Sequence, residues 1–139
     1  MKIFIFIQLL ATLLFSSQIE VETRIYSLII HSIFPQKTNV KVWTDDNEKR
    51  TFLNTLTSVK VVDSPKKADF VIIQTPLSYE PKAIVFTSSY KTLKHYQDDA
   101  IGGFYWQKGR PNILFLEDNL KKHELTLPSS MEQYVESSL

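Results

Sequence analysis

All three glycines of this 139-residue chain, Gly102, Gly103 and Gly109, fall within a single run, IGGFYWQKGRPNILFL, over residues 101–116. Glycine takes positive φ without steric penalty, so a chain that confines its glycines to one place confines its sharpest reversals there too. The aromatic and apolar stretches on either side of Lys108 and Gly109 predict a β-hairpin with that pair at its tip. Pro111 has no N–H to donate, which places it at an edge or a bulge and sets Ile113 as the start of full pairing on the return strand.

At the other end, Lys2 precedes an apolar-dominated stretch over residues 3–15, interrupted by Gln8. A charged start followed by a short hydrophobic segment is the pattern of an export signal, and the segment falls short of the roughly 20 residues a spanning helix needs. Residues 1–17 are therefore expected to be a signal peptide, with Ser16 and Ser17 as candidate cleavage positions and a periplasmic mature protein that does not span the membrane. An uncleaved tether and a buried N-terminal element are the competing readings. With no cysteine, the chain has no site for lipid modification after a signal, no disulfide and no thiolate metal site. Lys2 is the one charge before Glu20, so fifteen of the 16 basic side chains remain beyond the signal, against 15 acidic ones. That balance lacks the footprint of a nucleic-acid or anionic-lipid binder.

Beyond Glu20 the hydrophobic period alternates between helical and extended. Ile25, Leu28, Ile29, Ser32 and Ile33 share one helix face until Pro35, with Tyr26, Ile30 and Phe34 as an adjacent stripe. So apolar a helix needs cover, from its own sheet or from a partner, a second copy of the chain included. Val40, Val42 and Thr44 alternate as a strand, and Asp45 with Glu48 three residues on predicts a capped helix through Phe52, Leu53 and Leu56. Residues 59–62, 70–74 and 83–87 have strand character, the last two as central strands. Ser88 or Ser89 caps a short helix carrying Tyr90, Leu93 and His95. After the hairpin, Glu117 or Asp118 caps one helix, and Ser129 or Ser130 opens another containing Met131, Tyr134 and Val135. The expected fold is a single α/β domain over residues 20–139. Its mixed, mostly parallel sheet is flanked by helices, with an antiparallel C-terminal β-hairpin followed by two short helices.

The order of an opening apolar helix (IYSLIIHSIFP), a strand (VKVWTDD), the ADFVII strand, a KAIVFTSS strand and helix, and a hairpin followed by NLKKHELTLPSS resembles the YfiR-like periplasmic proteins. The likeness covers about residues 25–135 and rests on hydrophobic spacing and turn placement. It implies a periplasmic repressor that binds the extracytoplasmic sensor part of a membrane diguanylate cyclase and lowers cyclic-di-GMP synthesis. Well-known members carry disulfides, so any redox control of repression does not transfer to a chain without cysteine.

The inventory of reactive groups points to a binder rather than an enzyme. His31, His95 and His123 are scattered without metal-ligand spacing, and neither metal nor cofactor is expected. Asp45 with Asp46, and Asp98 with Asp99, fall at caps and loops, where adjacent carboxylates are ordinarily solvated. No strand is followed by a glycine cluster opening a helix, and Ser88 and Ser89 lack the flanking glycines of a nucleophile elbow.

Two surfaces are expected to matter. Phe104, Tyr105, Trp106, Lys108 and Arg110 combine amphipathic rings with cations, the composition of protein-binding hot spots. In an alternating strand Phe104 and Trp106 share one face while Tyr105 and Gln107 share the other. The first functional reading is accordingly a non-enzymatic periplasmic regulator that represses a membrane signalling protein through these residues and exposed parts of the first helix. The second is a small-ligand-binding domain whose crevice lies at the carboxyl ends of the strands, lined by Asp45, Gln74, Thr87 and Ser88, with Thr44 and Thr75 beside them.

Overall fold

The computed structural model describes the backbone of residues 2–139 and the side chains of residues 18–139, so the side chains of the expected export segment lie outside the described residues. The first helix, α1, runs Lys2–Ile33. Tyr26, Ile29, Ile30 and Ile33 recur at helical spacing, and all four are buried. This corrects the expected face: Leu28 is 51% exposed and Ile25 half-buried, because the helix is turned so that the Tyr26 and Ile30 stripe meets the sheet.

The strands are β1 (Val40–Thr44), β2 (Val59–Val61), β3 (Phe70–Ile73), β4 (Ile84–Thr87), β5 (Gly102–Gln107), β6 (Arg110–Leu116) and β7 (Val135–Glu136). They form one seven-stranded sheet in the order β2-β1-β3-β4-β5-β6-β7. Every neighbouring pair is parallel except β5 and β6. The helices are α2 (Asn47–Leu53), α3 (Tyr90–His95) and α4 (Glu117–Lys122), with 3₁₀ turns at Pro65–Lys67 and Ser129–Tyr134. The chain is therefore a mixed, mostly parallel α/β sheet with flanking helices and an antiparallel hairpin. Among the described residues, no helix is long and apolar enough to cross a membrane.

The sheet separates two cores. Val42, Phe70, Ile72, Phe86, Phe104 and Phe115 point to the side covered by α1 and α2. Val71, Ile73 and Val85 point to the other side, where they meet Leu93 of α3. Central strands enclosed on both faces need no polar alternation, which is why all four residues of β3 are apolar and buried. A row of rings ties the first core together: Phe70 to Phe86 at 5.7 Å, Phe86 to Phe115 at 6.0 Å, and Tyr26 to Phe104 at 5.2 Å. Between Phe86 and Phe115 in the register lies Gly102 of β5, so the two rings meet over a position without a side chain.

Local differences from the expected elements have local causes. Asp46, not Asp45, caps α2: its carboxylate accepts the Glu48 N–H at 2.9 Å. Ser89 caps α3 by accepting the Thr92 N–H at 3.0 Å. No side chain caps α4, which begins directly where β6 ends at Leu116. The last expected helix is a 3₁₀ turn, and Val135 leaves it to pair with Phe115 in β7. Strand β6 pairs from Arg110 onward, through Pro111 opposite Trp106, rather than from Ile113.

Candidate functional site

The hairpin turns on Lys108 (φ 52°) and Gly109 (φ 73°), a pair of left-handed residues whose twist matches that of the flanking strands. The other two glycines serve close approach. A Cβ at Gly102 would lie 2.1 Å from the Leu114 carbonyl oxygen, and one at Gly103 2.6 Å from Thr87 Oγ1. Strand β4 pairs with β5 only at Gly102 and Gly103, and β7 pairs with β6 only at Phe115 and Leu116. Over residues 104–113 the hairpin thus runs on as a two-stranded ribbon with both outer edges unpaired.

The pleat divides the five residues singled out on this ribbon. Phe104, 2% exposed, belongs to the core beneath Tyr26. Trp106 is half-buried on the same face, its ring 6.0 Å from Phe104 and its indole N–H donating to the Glu22 carboxylate of α1. Tyr105 points the other way and packs edge-on against Tyr90 at 5.8 Å; burial first, and then the neighbouring Tyr90 hydroxyl, push its phenol pKa up. Lys108 and Arg110 are exposed, and no ion pair among the described residues involves either. The structure therefore gathers Tyr105, Lys108 and Arg110 at one end and withdraws Phe104 from it. Tyr90, 45% exposed, is the member that sequence reasoning missed. Its one signal was an aromatic directly after a Ser cap, which tells where it sits in a helix but not which strand lies opposite.

The strand-end residues also come together. The order of strands reverses between β1 and β3, the place where open α/β sheets leave a crevice at their carboxyl ends. Here Asp45 crosses that gap and accepts the N–H groups of Gln74 (2.8 Å) and Thr75 (2.9 Å). Thr92 Oγ1 donates to the Gln74 carbonyl, and the Ser88 N–H donates to the Ile73 carbonyl at 3.0 Å. Thr87 is 0% exposed, which leaves it no surface to offer a ligand. Ser88 Oγ is buried without a hydrogen-bond partner. These groups hold loops to one another, and both carboxylate oxygens of Asp45 are engaged by backbone N–H groups.

The larger concavities lie elsewhere. A groove of about 860 Å³ runs along the outer side of α1 and the end of α2, lined by Leu28, Ile25, Phe52 and Leu56 among others. A second, of about 660 Å³, sits at the amino ends of β3 and β4 between Lys66, Asp69, Tyr79 and Lys82. No group of three or more His, Asp or Glu side chains among the described residues is placed to hold a metal ion.

Two carboxylates are tuned by structural partners. Around Asp46 burial works to raise the pKa, but the Lys49 ammonium at 3.1 Å and the Glu48 N–H hold it below its usual value. Asp69 follows the same logic: burial opposes, and Lys37 at 2.8 Å with the Lys41 N–H lowers it. Tyr26 is raised well above the ordinary phenol value by complete burial, with Glu22 and Asp46 adding to the effect. No family model, curated protein or solved structure matches this chain.

Proposed function

We propose that the chain is an exported, non-enzymatic regulator that binds the extracytoplasmic part of a membrane signalling protein, a diguanylate cyclase on the YfiR-like resemblance, and represses it. The reading is carried by the ribbon over residues 104–113, which packs Tyr105 against Tyr90 of α3 and carries the unpaired cations Lys108 and Arg110 at its tip. Rigid rings with a desolvated edge next to a guanidinium are the anchors that dominate protein interfaces. The basic tip fits an acidic loop on the partner. The opposite face of the ribbon is held against α1 through Phe104 and Trp106, so the tip is presented with little freedom to lose on binding.

A photo-crosslinking side chain at position 105 tests this in intact cells, with the same group at Lys60 on the far edge of the sheet as control. The expected product is one membrane protein captured from position 105 and absent from position 60; equal capture from both, or none from either, rejects the reading.

A second reading, a small-ligand-binding domain at the strand ends, is favoured by one observation, the unpartnered buried hydroxyl of Ser88. A thermal-shift screen of small metabolites decides it: saturable stabilisation by one compound that Ser88→Ala abolishes supports the reading, and a flat response rejects it.

A further inference from the structure

The groove on the outer side of α1 has an ordered polarity. Glu20, Arg24, Ser27 and His31 follow one another at steps of four, three and four residues, the spacing of a coiled-coil seam, on the helix face turned away from the sheet. Thr23 and Leu28 flank that seam on opposite sides, and all six line the same groove. Within the described residues Glu20, Arg24 and His31 make no ion pair, and Leu28 is 51% exposed. Thr23 Oγ1 already donates to the Ile19 carbonyl at 2.7 Å, which leaves its methyl group as the outward contact.

The four seam positions are self-complementary about a single point. A twofold axis placed between Ile25 and Tyr26 sets two copies of the helix antiparallel, and each seam residue then faces the one equally far on the other side of the axis. Glu20 faces His31 and Arg24 faces Ser27, each twice, while Thr23 borders the seam on one flank and Leu28 on the other. At the ends a carboxylate meets an imidazole N–H. In the middle each long side chain meets a short one, so the helices approach closely without a clash.

We propose that this groove is occupied by the same groove of a second copy, with the two α1 helices packed antiparallel about that axis. The axis makes both ends of the interface identical, with one Glu20 to His31 contact at each. The end of α2, through Phe52 and Leu56, supplies the apolar wall against which Leu28 of the other copy seats. This face lies on the opposite side of α1 from the stripe that contacts the sheet, and the hairpin tip stays free.

Sedimentation of the full chain, with circular dichroism as the folding control, tests the proposal. The expected result is a concentration-dependent rise in apparent mass from 16.2 kDa toward twice that value. Leu28→Asp, at an exposed position, is expected to return the protein to monomer with unchanged ellipticity. Glu20→Lys is expected to weaken the dimer at least tenfold, and Glu20→Lys combined with His31→Glu to restore it, because the pair is exchanged and not removed. A wild-type monomer at all concentrations, a dimer indifferent to Leu28→Asp, or a double variant no better than Glu20→Lys alone would overturn it.

Discussion

The indole N–H of Trp106 donates to the Glu22 carboxylate, a hydrogen bond that joins the hairpin to the first helix across 84 positions of sequence. It is the one side-chain hydrogen bond described between α1 and the ribbon, and it sits at the point where β5 has already lost its β4 neighbour. Ring contacts of Phe104 with Tyr26 and Trp106 surround it. Without it, the ribbon is held by apolar contact alone.

Glu22→Ala is therefore expected to cost about 1–2 kcal/mol, the range for a hydrogen bond to a charged group that is only partly buried. Trp106→Phe should cost a similar amount, and the double variant little more than either, since both remove one interaction. Urea titration gives the three values. Additive losses would mean that the two residues act separately.

Tyr26 is 0% exposed, and its hydroxyl has no hydrogen-bond partner. Removing an unsatisfied buried donor relieves a desolvation cost of about 1–3 kcal/mol while the ring contacts with Phe86 and Phe104 persist. Tyr26→Phe is thus expected to be neutral or stabilising near pH 7, an unusual outcome for a core substitution. Because the folded pKa of Tyr26 is raised, its contribution is complete below the unfolded value of about 10 and is lost as pH rises further. The variant should therefore lose less stability than the native chain between neutral pH and strongly alkaline solution. A clear destabilisation at pH 7 would show that the hydroxyl is satisfied.

At the acid end the sign reverses. Asp46 and Asp69 have folded pKa values below the ordinary carboxylate value, so the stability they lend is present above about pH 4 and is lost as pH falls through their folded values. Urea midpoints should be level between neutral pH and about 5 and should drop below 4. Asp69→Asn, which loses the Lys37 ion pair, is expected to be less stable at pH 7 and to show a shallower drop. An equally steep drop in that variant would place the acid sensitivity elsewhere.

The three glycines separate into two mechanisms, and substitution by alanine ranks them. At Gly109 the space is open and only the left-handed backbone is strained, a cost of about 1–2 kcal/mol that Asn relieves in part. At Gly103 the new methyl meets a threonine hydroxyl, which can turn away. At Gly102 it meets the backbone of β6, which cannot move without breaking the ladder. The expected order of destabilisation is Gly102→Ala, then Gly103→Ala, then Gly109→Ala, read from denaturation midpoints. Gly109→Ala as the worst of the three would contradict it.

What was legible in the sequence was whatever a period of two or of 3.6 determines by itself. The β1 alternation of Val40, Val42 and Thr44, the hairpin tip and a serine cap on α3, at Ser88 or Ser89, belong here, because neighbours in the chain set them. The orientation of α1 was not legible, since Leu28 and Ile30 are equally apolar and only the position of the sheet decides which is buried. Nor was β7, two residues long and formed only because the 3₁₀ turn at Ser129–Tyr134 delivers Val135 beside Phe115. The meeting of Tyr90 with Tyr105 depends in the same way on β4 and β5 being neighbours.

The final expectation concerns the free edge of the ribbon. A two-residue turn makes Gln107 and Arg110 a hydrogen-bonded pair, so by alternation the backbone groups of Pro111 and Ile113 point away from β5. Phe115 has the same parity and does reach outward, to β7. The edge that β7 leaves uncovered thus begins with a residue that has no N–H, flanked by the cation of Arg110. Both are devices that discourage a foreign strand from adding there. Pro111→Val restores the donor and supplies a residue that favours strands, so the folded domain should gain or keep stability while its solubility falls. Light scattering over days at about 100 µM, beside a denaturation curve, separates the two effects. Unchanged solubility with a fall in stability would mean that Pro111 is there to shape the strand, and that the charge on Arg110 guards the edge alone.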